Sequence, residues 1–157
     1  MIPTKKLALL GFGNAGQAFA KMLLQKHEDI KKLYGYDVIV TAIATNSKGN
    51  LVDANGIDLK EALDDLEKCG KFCNQNQLTH MSTMDIVKEA DYDVLVEMTP
   101  LNIFTGQPAI EHIETAFSRK KDAITANKGP IAWKFKDNFL CVNRLYVCFL
   151  YFGSIIV

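Results

Sequence analysis

Short apolar runs alternating with amphipathic helical stretches predict an α/β fold, a doubly wound parallel sheet covered by helices on both faces in three layers. Two observations strengthen that prediction. A glycine-rich turn joins the first apolar run to the first helical stretch, and later runs are β-branched with little alternation, as in strands buried on both faces.

The elements follow in order. Residues 7–10 are too short for a helix before glycine and read as a strand; residues 14–26 repeat Ala15, Ala18, Phe19, Met22 and Leu23 at helical spacing. Residues 38–44 (VIVTAIA) form a second strand, stopped by the turn-forming NSKGN. Residues 58–71 place Leu59, Ala62, Leu63 and Leu66 on one stripe, with Asp58 suited to the N-cap and Gly70 near the C-terminal end. A short helix over 82–90 begins at Ser82 with Asp85 three residues on, residues 93–98 form a strand, 107–120 a helix and 123–125 a strand closed by ANKGP.

Composition narrows the function. The 157 residues carry 18 basic and 18 acidic side chains, so no net field draws the chain to nucleic acid, which is not an expected partner. The run Arg119-Lys120-Lys121 reads as a solvated helix end. Cysteines at 69, 73, 141 and 148 have no C-x-x-C spacing, and Cys69 and Cys73 have no histidine following at ligand spacing. Reduced thiols and no metal are expected. The N-terminus enters a strand at once, leaving no room for a signal or transit peptide. The expected location is the cytoplasm, with a plastid open if the N-terminus is incomplete.

The stretch GFGNAG is a G-x-G-x-x-G loop between a predicted strand and helix, the context in which it marks a Rossmann-like dinucleotide site. Gly11 permits the turn, Gly13 lets the backbone approach a pyrophosphate, and Gly16 allows close helix packing. Cofactor choice turns on the end of the second strand, where an acid binds the ribose in NAD enzymes. Here Thr45, Asn46, Ser47 and Lys48 follow Ala44, while Asp37 precedes the strand and belongs at the opposite edge. Hydroxyls, an amide and an ammonium suit a 2′-phosphate, which favours NADP and leaves NAD as the second choice. For Lys48 the alternative is a solvated turn lysine.

From VLVEMTPLNIFTGQPA through AITANKGPIAW the sequence resembles the NAD(P)-binding domain of homoserine dehydrogenase, and GFGNAGQAF is similar to that family's glycine loop, over about residues 5–136. The resemblance implies NAD(P)-dependent interconversion of L-homoserine and L-aspartate 4-semialdehyde, on the route to threonine, methionine and isoleucine. It also implies roles for residues. Gly11, Gly13 and Gly16 are the loop glycines, with Phe12, Asn14 and Ala15 supplying backbone contacts to the phosphates. Thr99 and Pro100 sit beside the nicotinamide ribose, and Asn127 and Lys128 face the cofactor and the reaction cleft. Thr99 and Lys128 each follow a predicted strand, which places them at the carboxyl edge where such sheets bind ligands. Lys128 is the candidate supporting catalytic residue, its charge set where aldehyde reduction develops an alkoxide. Glu97, on a buried strand, is expected as a structural carboxylate tied to backbone or a neighbour. His27, His80 and His112 match no catalytic motif, and a surface or interface role is expected for them.

The family's second, α+β domain carries the principal catalytic residues and lies outside the match, which stops near Asp137. Residues 1–137 are therefore expected as the cofactor domain and 138–157 as an apolar tail. The aspartate semialdehyde and homoserine partners require a substrate domain from elsewhere. The family is oligomeric, but association through that domain leaves this chain expected as a monomer. Three readings of the tail FLCVNRLYVCFLYFGSIIV stay open: an unrelated terminus, strands that patch the sheet, or a membrane span, against which Asn143 and Arg144 count. The alternative function is a non-catalytic module that uses this tail for partner or membrane contact.

Overall fold

The computed structural model describes residues 2–74 and 76–134, together with the backbone of residues 145–147. In chain order the elements are β1 (Thr4–Leu10), α1 (Asn14–Tyr34), β2 (Asp37–Ala44), β3 (Asn50–Val52), α2 (Leu59–Cys69), β4 (Leu78–Thr79), α3 (Thr83–Glu89), β5 (Val94–Glu97), α4 (Ala109–Ser118), β6 (Asp122–Thr125), α5 (Lys128–Lys134) and β7 (Leu145–Val147). The expected domain boundary, Cys141, Cys148 and all of the tail beyond the β7 backbone lie outside the described residues. Among the described residues no helix is long and apolar enough to cross a membrane.

The sheet order is β4-β3-β2-β1-β5-β6-β7. Strands β2, β1, β5, β6 and β7 pair in parallel. Side chains of alternate residues serve two cores, as the period of a strand requires. Leu7 and Leu9 of β1 join Ala20, Leu23, Leu59 and Ala62 beneath α1 and α2. Ala8 and Leu10 join Ile86, Val87, Ile113 and Ala116 beneath α3 and α4. Helices therefore cover both faces, and the expected three-layer, doubly wound arrangement is present.

The differences from the sequence reading have local causes. Helix α1 runs well past residue 26 because no glycine or proline lies between that residue and Gly35, which takes a left-handed φ of 70° and donates its N–H to the Lys31 carbonyl. The segment NSKGN does turn, but it reverses the chain into β3, antiparallel to β2, and β4 then pairs antiparallel with β3. These two strands have three and two residues, too few to carry a periodic signal. Helix α5 begins at Lys128 where only a closing turn was expected; Pro130 falls in its first turn, where no backbone donor is lost. Cys69 and Cys73 are exposed free thiols.

The expected caps are built as read. Asp58 Oδ1 accepts from the Lys60 and Glu61 N–H groups at 2.9 and 3.0 Å, and Gly70 closes α2 at φ 70°. Ser82 and Asp85 form a reciprocal capping box on α3, whose hydrogen bonds hold the Asp85 carboxyl below its ordinary pKa. Replacing Asp58 with Ala removes the acceptor of both α2 cap hydrogen bonds and is expected to cost about 1 kcal/mol. Thermal unfolding followed by circular dichroism should fall by a few degrees for Asp58→Ala and by much less for Asp58→Asn; equal melting of all three forms would contradict the assignment.

Candidate functional site

Parallel register brings the carboxyl ends of four strands to one edge. Leu10 pairs with both Ala44 and Glu97, and Glu97 pairs with Thr125. The chain leaves β1 toward β2 on one side, whereas β5 lies on the other, so a crevice opens at the switch point between β1 and β5. The segments after these strands, beginning at Gly11, Thr45, Met98 and Ala126, share that edge.

Two loop glycines are required by the protein itself. Gly11 has φ +92°, its N–H donates to the Ala44 carbonyl at 2.9 Å, and a Cβ there would lie 2.6 Å from the Met98 oxygen. A Cβ on Gly16 would lie 2.5 Å from the Gly11 oxygen. Gly13 is different: nothing stands within 4 Å of where its Cβ would be. Open space thus lies before the N-terminus of α1, where no side chain caps the first-turn N–H groups. An uncapped helix end of 21 residues beside a bare backbone is a ready anion site, and it fits a pyrophosphate. Asn14 is exposed and Ala15 half-buried beside it. The Phe12 side chain is buried and packs edge-on against Phe72 at 5.7 Å, so this residue offers only backbone.

The loop after β2 is tied down on several sides. Thr45 Oγ1 donates to the Gly49 carbonyl at 2.7 Å and accepts from the Lys48 N–H at 2.9 Å, while the Thr45 N–H donates to Asn50 Oδ1. The Phe72 N–H donates to the Lys48 carbonyl at 2.8 Å. Lys48 Nζ reaches across and donates to the Phe12 carbonyl at 2.8 Å, linking the two loops. Asn46 and Ser47 are exposed at the tip. Gly11, Gly13, Thr45, Asn46, Ser47 and Lys48 line one cleft of about 220 Å³, which Thr99 and Pro100 close from the β5 side. Asp37 stands at the far edge of the sheet, 2.8 Å from His27 and 3.2 Å from Lys31. Partial burial raises its carboxyl pKa, but hydrogen bonds and charge from Lys31 and His27 outweigh that and hold it below the usual range.

At the end of β5, the Glu97 carboxyl is buried, as expected of a structural carboxylate. Its Oε1 accepts from the Thr99 N–H at 3.1 Å and from the Thr99 hydroxyl. Asn127 is buried as well: its amide donates to the Thr99 carbonyl at 3.1 Å and accepts from the Gly129 N–H at 3.0 Å. The side chain thus ties the segment after β5 to the start of α5 and helps to place Thr99. Lys128 opens α5 with an exposed side chain, outside the lining of both clefts.

A second, larger cleft of about 880 Å³ continues from the first and shares Asn46, Thr83, Thr99 and Pro100 with it. Ser82–Met84 at the start of α3 and His112 of α4 line it, and sequence reasoning placed none of them at the site. His112 corrects an expectation. It is 3% exposed rather than at the surface, with Nδ1 3.8 Å from Glu97 Oε1. The signal was its position among Ala109, Ile110, Ile113 and Ala116 on the buried stripe of α4. His27 is half-buried in its pairing with Asp37, and His80 is exposed.

No family model matches the chain. The homoserine dehydrogenase of Methanocaldococcus jannaschii is 41% identical over 132 residues, which are 83% of this chain and 39% of that protein. The NAD(+)-dependent homoserine dehydrogenase of Pseudomonas canavaninivorans is 27% identical over 151 residues, 96% of this chain and 43% of its own. A hyperthermophilic archaeal homoserine dehydrogenase mutant in complex with NADPH matches with a TM-score of 0.66 at 25% identity, over 82% of this chain and 37% of its own. The chain therefore spans about two fifths of the length of these relatives. By sequence and by fold, it is homologous to the N-terminal NAD(P)-binding domain region of the homoserine dehydrogenases.

Proposed function

We propose that the chain binds NADP(H) across the glycine loop and the ends of β2 and β5, as the cofactor-holding part of a homoserine dehydrogenase that interconverts L-homoserine and L-aspartate 4-semialdehyde. The observation that carries this reading is the open space at Gly13 facing the uncapped N-terminus of α1. The NADPH complex of a relative supports it. One relative is NAD(+)-dependent, but the absence of an acid among residues 45–48 favours NADP here.

Each group has a task in this reading. The first-turn N–H groups of Asn14, Ala15 and Gly16 hold the pyrophosphate. Asn46 and Ser47 donate to the 2′-phosphate, and Lys48 has two further ammonium protons for it beyond the one on Phe12. Thr99 and Pro100 flank the nicotinamide end, and Lys128 supplies positive charge toward the substrate oxygen. The bound dinucleotide supplies the hydride. Hydride transfer needs the substrate carbon held against the ring, and that clamp belongs to the portion of the relatives that this chain does not match. Residues 1–137 constitute the cofactor domain, and the 157-residue chain is expected to bind nucleotide with little or no turnover.

Titration with NADPH should enhance nucleotide fluorescence and raise the melting temperature, while homoserine-dependent NADP reduction stays at background; lack of any nucleotide effect would sink the binding assignment. Gly13→Ala should lose no more stability than the N-cap preference for glycine over alanine, about 1 kcal/mol, yet lose at least about tenfold in NADPH affinity, because its Cβ meets ligand rather than protein. Gly11→Ala should instead lower the melting temperature, since it collides with Met98 and occupies a left-handed φ. Lys48→Ala should weaken NADPH about tenfold and NADH by less than about twofold, one charge-assisted contact being at stake. Equal losses for the two nucleotides would remove the 2′-phosphate role.

A further inference from the structure

Thr99 lines both clefts, and its neighbours leave it no freedom. Its carbonyl accepts from Asn127 Nδ2 at 3.1 Å, and its own N–H donates to Glu97 Oε1 at 3.1 Å. An oxygen that accepts a backbone N–H acts as an acceptor toward the Thr99 hydroxyl too, so the single hydroxyl proton goes to Glu97. What remains on Thr99 Oγ1 is lone pairs alone. Glu97 is itself 0% exposed, and among the described residues neither its Oε2 nor His112 Nδ1 finds a hydrogen bond. With Oε1 committed to Thr99 and Oε2 unpaired, Thr99 takes every hydrogen bond this carboxyl makes among the described residues.

We propose that Glu97 is a positioning residue that makes Thr99 an acceptor-only contact, selecting a hydrogen-bond donor on the nicotinamide half of the dinucleotide, either a ribose hydroxyl or the carboxamide N–H. This rests on the dinucleotide reading given above. A threonine free to rotate would present donor or acceptor alike. Fixed by Glu97, it presents one.

The test measures affinities of the full chain for three probes by calorimetry: NADPH, 2′-phospho-ADP-ribose, which lacks the nicotinamide, and adenosine 2′,5′-bisphosphate, which lacks the second ribose and its phosphate as well. Thr99→Val is expected to weaken NADPH about five- to tenfold and leave the bisphosphate unchanged, with Thr99→Ser restoring the parent value. If 2′-phospho-ADP-ribose shares the loss, the donor is a ribose hydroxyl; if it does not, the donor is the carboxamide. Glu97→Met, which removes the acceptor, should produce the same selective loss, and Glu97→Gln, which keeps one, should stay within about twofold of the parent chain. Should Glu97→Met fail to fold, the Val and Ser variants of Thr99 together with Glu97→Gln decide. Equal effects on NADPH and the bisphosphate, or none on either, would overturn the proposal. Failure of the parent chain to bind any of the three probes would instead overturn the dinucleotide reading.

Discussion

The site depends on how closely the backbone leaving β1 passes the backbone leaving β5. The Met98 N–H donates to the Leu10 carbonyl at 2.8 Å, and the next residue, Gly11, donates to Ala44 at 2.9 Å. Three strand ends are thereby stitched within two residues. No side chain fits at Gly11, and a left-handed φ is needed to turn the chain into α1. Everything downstream inherits this geometry: the axis of α1, the opening at Gly13, and the position of Thr99 across the crevice.

The two cores meet that constraint with unlike residues. Toward α1 and α2 the sheet presents Leu7, Leu9, Val40 and Ile43, large side chains that fill the space under a long helix. Toward α3 and α4 it presents Ala8, Ala42, Ala44 and Ala123 around Leu10 and Leu95, and Ile86, Tyr92 and Ile113 supply further volume. Alanine on a sheet lets short helices settle close while packing density is preserved. That settling carries the N-terminus of α3, with its Ser82–Asp85 capping box, to the rim of the cleft.

Much of the frame was legible because it rests on local chemistry. The glycine loop, the β-branched run of β2, the Asp58 and Ser82 caps and the Gly70 stop are each set by residues within a few positions of one another. The edge strands β3 and β4 were not, since pairs and triplets of residues have no period to read. The last turns of α1 lacked an apolar stripe beyond Ile30, and only the absence of a breaker argued for them. At the site, residue types at the sheet edge were readable, whereas their engagements were tertiary. Nothing local tells that Lys48 lies on Phe12, that Asn127 is occupied with Thr99, or that His112 faces Glu97 across a helix-to-strand contact.

The bridge from Lys48 to the Phe12 carbonyl has a consequence for binding entropy. A lysine on an exposed turn samples many rotamers, and fixing it on a ligand costs roughly 0.5–1.5 kcal/mol. Here the ammonium is already held at 2.8 Å, between a loop closed by Thr45 and a glycine loop braced by Phe72. Its ordering belongs to folding rather than to association. The charge is therefore confined to a narrow arc beside the glycine loop, on a side chain with little motion left to lose.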